Sequence, residues 1–119
     1  MDLNRAYFYG VYLGDGFIEK NNVMLKTVDA DFVKKWQIIV EAMTGKQYAM
    51  YKESGKGNHK DIWRCKIYCP WLVKEAIELT HNKSEIPNFI YDGDVEIQKA
   101  FLQGLMDSEG HISVTLNPL

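Results

Sequence analysis

Cysteine, proline and histidine are all scarce in this chain. Of its 119 residues, two are cysteines, three are prolines and three are histidines. The two cysteines stand in CKIYC, at Cys65 and Cys69. On a strand, four residues put about 13 Å between them, with both side chains facing the same way. That is too far for an easy disulfide. No second cysteine pair or paired histidines complete a zinc pattern, so both thiols are expected to be buried and reduced. His59, His81 and His111 have no partner spacing that suggests a metal. No apolar run approaches the length that crosses a bilayer. The start, MDLNRAYFYG, lacks the basic-then-apolar order of a secretion signal. An intracellular protein without a membrane partner is the expectation. The length suits one domain with a real core and is too short for two ordinary ones.

The formal net charge of −2 argues against a polyanionic partner until its distribution is read. Between residues 46 and 66, Lys46, Lys52, Lys56, Lys60, Arg64 and Lys66 face only Glu53 and Asp61, a local +4. A basic patch on an acidic body suits a nucleic-acid partner. On charge alone, a plain solvated hairpin suits it equally well.

Periodicity divides the chain without any linker. Asn4 to Gly14 reads as a helix. Phe17 to Lys20 and Val23 to Val28 read as a hairpin turning at Asn21-Asn22. Asp29 is placed to cap a second helix, whose stripe of Phe32, Val33, Trp36, Ile39, Val40 and Met43 recurs at helical spacing. Gly45 stops it. Gln47 to Glu53 and Asp61 to Cys69 form a second hairpin around SGKGNHK. Its last strand puts Trp63, Cys65, Ile67 and Cys69 on one face and Arg64, Lys66 and Tyr68 on the other. Trp36, Trp63 and Trp71 are read as core. Pro70 opens a third helix to Leu79, His81 to Gly93 connects, and Asp94 caps a further helix. The class is α+β.

The first helix ends oddly. FYGVYLGDGFI, residues 8–18, closes on Asp15, a carboxylate at the helix end whose dipole favours cations. The oddity occurs twice. YFYGVYLGDGFI (7–18) lies over FLQGLMDSEGHI (101–112) without a gap: Gly10 on Gly104, Gly14 on Ser108, Asp15 on Glu109, Gly16 on Gly110. An offset of 94 residues is the size of a structural unit, so a tandem repeat is expected. Small residues one turn apart let two helix backbones approach closely. Helices paired that way, roughly parallel, would bring Asp15 and Glu109 to one end. Adjacent carboxylates repel unless protonated or neutralised by a cation. Mg²⁺ suits such hard oxygen ligands, with water and phosphate completing its shell. Taken singly, either copy reads as an ordinary helix cap. The repetition favours a shared metal site.

These segments, FYGVYLGDG (8–16) and LQGLMDSEG (102–110), resemble the LAGLIDADG motif of homing endonucleases. TVDADFVKKW and IPNFIYDGDVEIQKAFLQGLMDSEG are also similar to that family. The resemblance implies a helix–hairpin–helix–hairpin–helix unit with an antiparallel saddle sheet over residues 1–93 (motif helix 4–15). A second motif helix then opens an incomplete second unit over 94–119. It implies site-specific double-strand DNA cleavage with divalent metal, Mg²⁺ or Mn²⁺. Asp15 and Glu109 would be catalytic and metal-binding, and the carbonyls of Gly14 and Ser108 further ligands. Lys20, Lys26, Lys52, Lys56, Lys60, Arg64 and Lys66 would contact DNA, with Tyr68 beside them. The family also places a lysine or glutamine near each scissile phosphate. Here that residue is unassigned, with Thr27 near the expected place and Lys26 a candidate.

The chain departs from the family plan. It ends nine residues after Gly110, giving two motifs and one sheet. A fragment, self-association, or a second unit on another chain would each account for that. The rival functions on the same scaffold are a non-cleaving DNA-binding regulator and an intron RNA maturase. A small α+β protein with chance glycine-acid helix ends is the third reading.

Overall fold

The computed structural model describes residues 3–57 and 60–109, and for Glu109 the backbone alone. The chain runs α1 (Leu3–Gly14), β1 (Phe17–Glu19), β2 (Asn22–Thr27), α2 (Ala30–Thr44), β3 (Met50–Glu53), β4 (Ile62–Tyr68), α3 (Pro70–Thr80), α4 (Asn88–Tyr91) and α5 (Val95–Glu109). No helix among the described residues is long and apolar enough to cross a membrane.

Local chemistry sets most boundaries. Asp29 caps α2, its carboxylate accepting from Phe32 N at 3.1 Å, and Gly45 ends that helix at φ 74°, bonded to Glu41 O. Pro70 occupies the first turn of α3, where its missing N–H costs nothing. Asp94 accepts from Ile97 N at 3.1 Å and so starts α5. The first hairpin turns one residue earlier than the asparagine pair suggests. Glu19 pairs with Asn22, so Lys20 and Asn21 make the turn, and Lys20 takes φ 57°. The connection after α3 contains the single-turn helix α4, too short for its pattern to be read from sequence.

The four strands form one antiparallel sheet in the order β1-β2-β4-β3. Its inner face carries Val23, Leu25, Cys65 and Ile67, all buried to 0% exposure. Cys65 and Cys69 are free and buried, as the sequence suggested. Trp36 is in the core, Trp63 is partly buried against it, but Trp71 is half exposed. The expectation of a core Trp71 therefore fails. It sits in the first turn of α3, where the buried side is taken by Leu72 and Val73.

Helix α1 runs through the middle of the molecule, with every residue from Ala6 to Tyr12 buried. A helix apolar all round needs cover on all sides. On one side Phe8 stacks on Trp36 of α2 at 5.9 Å and on Tyr12 at 6.2 Å. On another lies α5, whose Ile97 and Phe101 join the same core.

Candidate functional site

The contact between α1 and α5 is reciprocal. A Cβ on Gly10 would lie 2.1 Å from Phe101 O and 2.7 Å from Leu105 N. A Cβ on Gly104 would lie 2.2 Å from Tyr7 O and 3.0 Å from Val11 N. Gly10 and Gly104 are counterparts in the 94-residue repeat, as are Tyr7 and Phe101, and Val11 and Leu105. Each glycine thus meets the residues that correspond to those flanking itself. That is how a two-fold, isologous interface looks, here built inside one chain. Backbone meets backbone at both points, so only glycine fits either position.

This crossing governs where the acid-bearing ends go. Helix α1 passes through Asp15-Gly16 into β1 at Phe17, opposite Met24. Ser108, near the end of α5, lines a cleft of about 480 Å³ with Thr27, Asp29, Asp31, Lys60 and Asp107. Thr27 ends β2, three residues beyond Met24. Asp15 thus leads into β1 and Ser108 lies beside the end of β2, while the cleft at Ser108 does not include Asp15. Asp15 is exposed, while Ser108 is 6% exposed and turns its hydroxyl to Leu105 O at 2.8 Å. The side chain of Glu109 lies outside the described residues, and so does His59. Among the described residues, no group of three or more His, Cys, Asp or Glu side chains gathers for a metal. The donors that α1 offers are a carboxylate and backbone carbonyls, a hard oxygen set that suits Mg²⁺ completed by water and phosphate.

The anomaly of Asp15 has a partner. Lys83 donates from Nζ to Gly16 O at 2.6 Å and lies 5.4 Å from the Tyr12 ring centre. Burial of the amine pulls Lys83 below the ordinary lysine value, and the charge of Asp15 pulls it partly back. A cation thus stands where the helix dipole asks for one. Lys83 reaches this place through three successive left-handed residues, His81, Asn82 and Lys83, at φ 46°, 63° and 70°. Each non-glycine residue there costs roughly 1–2 kcal/mol. Buried Thr80 holds the run: its Oγ accepts from Lys83 N at 3.0 Å, and its carbonyl accepts from Ser84 N and Glu85 N. Sequence reasoning did not find Lys83, because nothing local links residue 83 to residue 16.

The outer face of the sheet is open along part of its extent, with Asn22 and Met24 buried on it. Register places Phe17, Asn22, Met24, Lys26, Tyr51, Glu53, Arg64, Lys66 and Tyr68 on it. Tyr51 and Tyr68 are more than half exposed, and Lys26 and Lys66 are exposed. Arg64 is paired with Glu53 and stands directly opposite Lys26. Like charges opposed across strands are destabilising, and the pairing of Arg64 with Glu53 offsets this. Lys20 sits at the hairpin tip, and Lys56 and Lys60 are exposed in the β3–β4 loop. Lys52 lies on the other face of the sheet, and it too is exposed. It pairs with Trp63, on the face opposite Arg64, with Nζ 5.9 Å from the Trp63 ring and 3.8 Å from Asp61. The alternation along β3 runs Tyr51 and Glu53 outward, Met50 and Lys52 inward. Without a clear apolar pattern in that strand, its phase could not be read from sequence.

No family model matches the chain. Among curated proteins it is similar to the DNA-directed RNA polymerase subunit Rpo1C of Methanocaldococcus jannaschii, at 24% identity over 116 residues. That match covers 95% of this chain and 13% of the subunit. Among solved structures it is similar to the homing endonuclease I-WcaI bound to its DNA recognition sequence, with a TM-score of 0.53 and 13% identity. The fold is that of a homing endonuclease. The likeness covers 83% of this chain and 49% of that one, so this chain spans about half the length of that structure's chain.

Proposed function

We propose that this chain belongs to a site-specific double-strand DNA endonuclease of the LAGLIDADG homing type, hydrolysing phosphodiester bonds with divalent metal. The observation that carries the reading is the reciprocal Gly10–Gly104 contact, with a carboxylate residue five positions after each glycine. A close crossing of that kind gives two equivalent ends, as cutting two antiparallel strands requires.

In this reading Asp15 and Glu109, with the carbonyls of Gly14 and Ser108, hold Mg²⁺ or Mn²⁺. Such a metal, when bound, would activate a water and stabilise the leaving 3′ oxygen. Lys83, whose Nζ donates to Gly16 O beside Asp15, would meet a scissile phosphate. Lys26, Arg64 and Lys66 on the sheet, Lys20 at the hairpin tip and Lys56 and Lys60 in the loop meet the duplex. Contacts to phosphate set affinity, and contacts to base edges set sequence choice. Homing also implies that an intron or intein carries the gene.

The second reading is a non-cleaving DNA-binding regulator or an intron RNA maturase. Exposed Tyr51 and Tyr68 beside Arg64 and Lys66 favour it, because aromatic and basic side chains together stack and hold unpaired bases. One experiment separates the two. A randomised duplex library is incubated with Mg²⁺ and the protein, or with its Asp15→Asn or Glu109→Gln variant. Nicking or cleavage that both variants lose supports the endonuclease. Salt-sensitive duplex or RNA binding without cleavage supports the second reading.

A further inference from the structure

The two acid-bearing helix ends are secured by different devices. At the end of α1 the device is Lys83, resting on Tyr12. Near the end of α5 another lysine rests on another tyrosine of α1: Lys35 Nζ stands 4.7 Å from the Tyr7 ring centre and donates to Asp107 Oδ2 at 3.1 Å. The Tyr7 hydroxyl donates to the same oxygen at 2.7 Å, and Gln103 Nε2 donates to Asp107 Oδ1 at 2.6 Å. Asp107 thus ties three elements together: α1 through Tyr7, α2 through Lys35, and its own helix through Gln103.

The 94-residue repeat does not explain this cluster. The counterpart of Asp107 is Leu13, and that of Tyr7 is Phe101. Neither can make such a bond. The device is therefore particular to α5, and it stands two residues before Glu109. Ser108 lies between them, and both Asp107 and Ser108 line the cleft with Thr27 and Lys60. The glycine crossing sits four residues before Ser108 and fixes the distance between the helices there. It does not fix how the last turn of α5 is rotated. A carboxylate held from three sides does.

We propose that Lys35 and Tyr7, acting through Asp107, are positioning residues for the second acid-bearing end. They set Ser108 and Glu109 against α1 and so control cleavage of one DNA strand independently of the other. This rests on the endonuclease reading, in which each helix end serves one strand. Lys35 touches neither substrate nor metal in this scheme. Its effect passes through Asp107.

The test uses the full chain as wild type, Lys35→Met, Lys35→Arg and Asp107→Asn. Two readouts are needed: strand-resolved cleavage of a duplex recovered from the library with the wild type, and hydrogen exchange of α5 amides. Lys35→Met is expected to slow one strand about tenfold, about 1.4 kcal/mol on its barrier, and the other less than about twofold, so nicked duplex accumulates. Lys35→Arg restores both strands. Exchange rises at residues 105–109 in Lys35→Met and Asp107→Asn, and is unchanged at residues 97–101. Equal slowing of both strands, or an unchanged strand ratio, overturns the proposal. If the wild type cleaves nothing, the endonuclease reading falls and the exchange experiment alone decides the latch. Faster exchange confined to the last turn then upholds the hold on the end of α5 alone, and wild-type exchange removes that too.

Discussion

Gly10→Ala and Gly104→Ala test the packing on which the site depends. Each added methyl would stand 2.1 or 2.2 Å from a carbonyl oxygen of the facing helix, where an ordinary carbon–oxygen contact is about 3.4 Å. Neither oxygen belongs to a side chain that can swing away, so the helices must part by about 1 Å. Overpacking of this kind costs about 1–3 kcal/mol, while replacing a mid-helix glycine by alanine returns about 1 kcal/mol of helix propensity. The expected net effect is a loss of up to about 2 kcal/mol for either substitution, a fall in Tm of about 4 °C per kcal/mol in a domain of this size. The double variant discriminates best. One parting of the helices relieves both clashes, so the pair should cost about 1 kcal/mol less than the sum of the singles. Urea unfolding, with the slope checked for constancy across variants, measures all three. Stabilisation by either alanine, as in an open helix, would refute the close crossing. Strict additivity would refute the reciprocity.

The other predictions concern charge and protons. Lys66→Ala should weaken duplex binding and lower the slope of log affinity against log salt by about 1. Lys52→Ala, on the other face of the sheet, should leave the slope unchanged, and a titration series at several salt concentrations reads both. Lys83→Met should slow nicking without weakening duplex binding more than about twofold, because one phosphate contact is a small share of the whole; gel-shift and single-turnover assays compare them. Thr80→Val should destabilise the fold by about 1–3 kcal/mol, since Lys83 N loses its acceptor in a partly buried loop. Thermal melts check this. Burial, then the charge of Glu41, pushes Cys65 from 9.0 up to about 12. The folded state keeps that proton where the unfolded chain sheds it. Stability is therefore complete below about pH 9 and falls by about 1.4 kcal/mol per unit as pH rises towards 12. Melts at pH 8, 9.5 and 10.5 follow it, and Cys65→Ala should flatten the profile.

Much of this fold could be read along the chain because its signals are local. Asp29, Gly45, Pro70 and Asp94 act within four residues of themselves, and the structure uses each as a cap, stop or start. The apolar stripe of α2 and the alternation of β4 report burial directly. The repeat went further and anticipated a long-range contact, because two copies of one steric pattern are informative only if they meet. The phase of β3 was out of reach: MYKE has an apolar residue beside an aromatic one and charges on both faces, so only its partner strand decides which side Lys52 takes.

Lys83 shows the other limit. Its neighbours in sequence, HNKSE, read as an ordinary polar connection. Its place at the α1 end depends on a chain of separate facts: a buried threonine that ends α3, a left-handed run that no glycine marks, and the Gly16 carbonyl just past the helix end within reach. Each is weak in sequence, because Asn tolerates φ > 0 but His and Lys give no such sign. Lys35 is hidden for the same reason, being one of two adjacent lysines on the polar side of α2 until α5 arrives beside it. The residues that hold the two carboxylate ends are therefore the least legible part of the site. The carboxylates repeat with the motif. The lysines are recruited from elsewhere in the chain, one for each end, with no symmetry between them. If that is right, exchanging Leu13 for Asp should not transfer the α5 latch to α1. Phe101 has no hydroxyl to share, and Lys83 already serves Gly16 O. The Leu13→Asp variant should simply lose stability by burying part of an unpaired carboxylate, with the strand ratio of cleavage unchanged. A shift in that ratio towards the other strand would mean that the two ends are interchangeable after all.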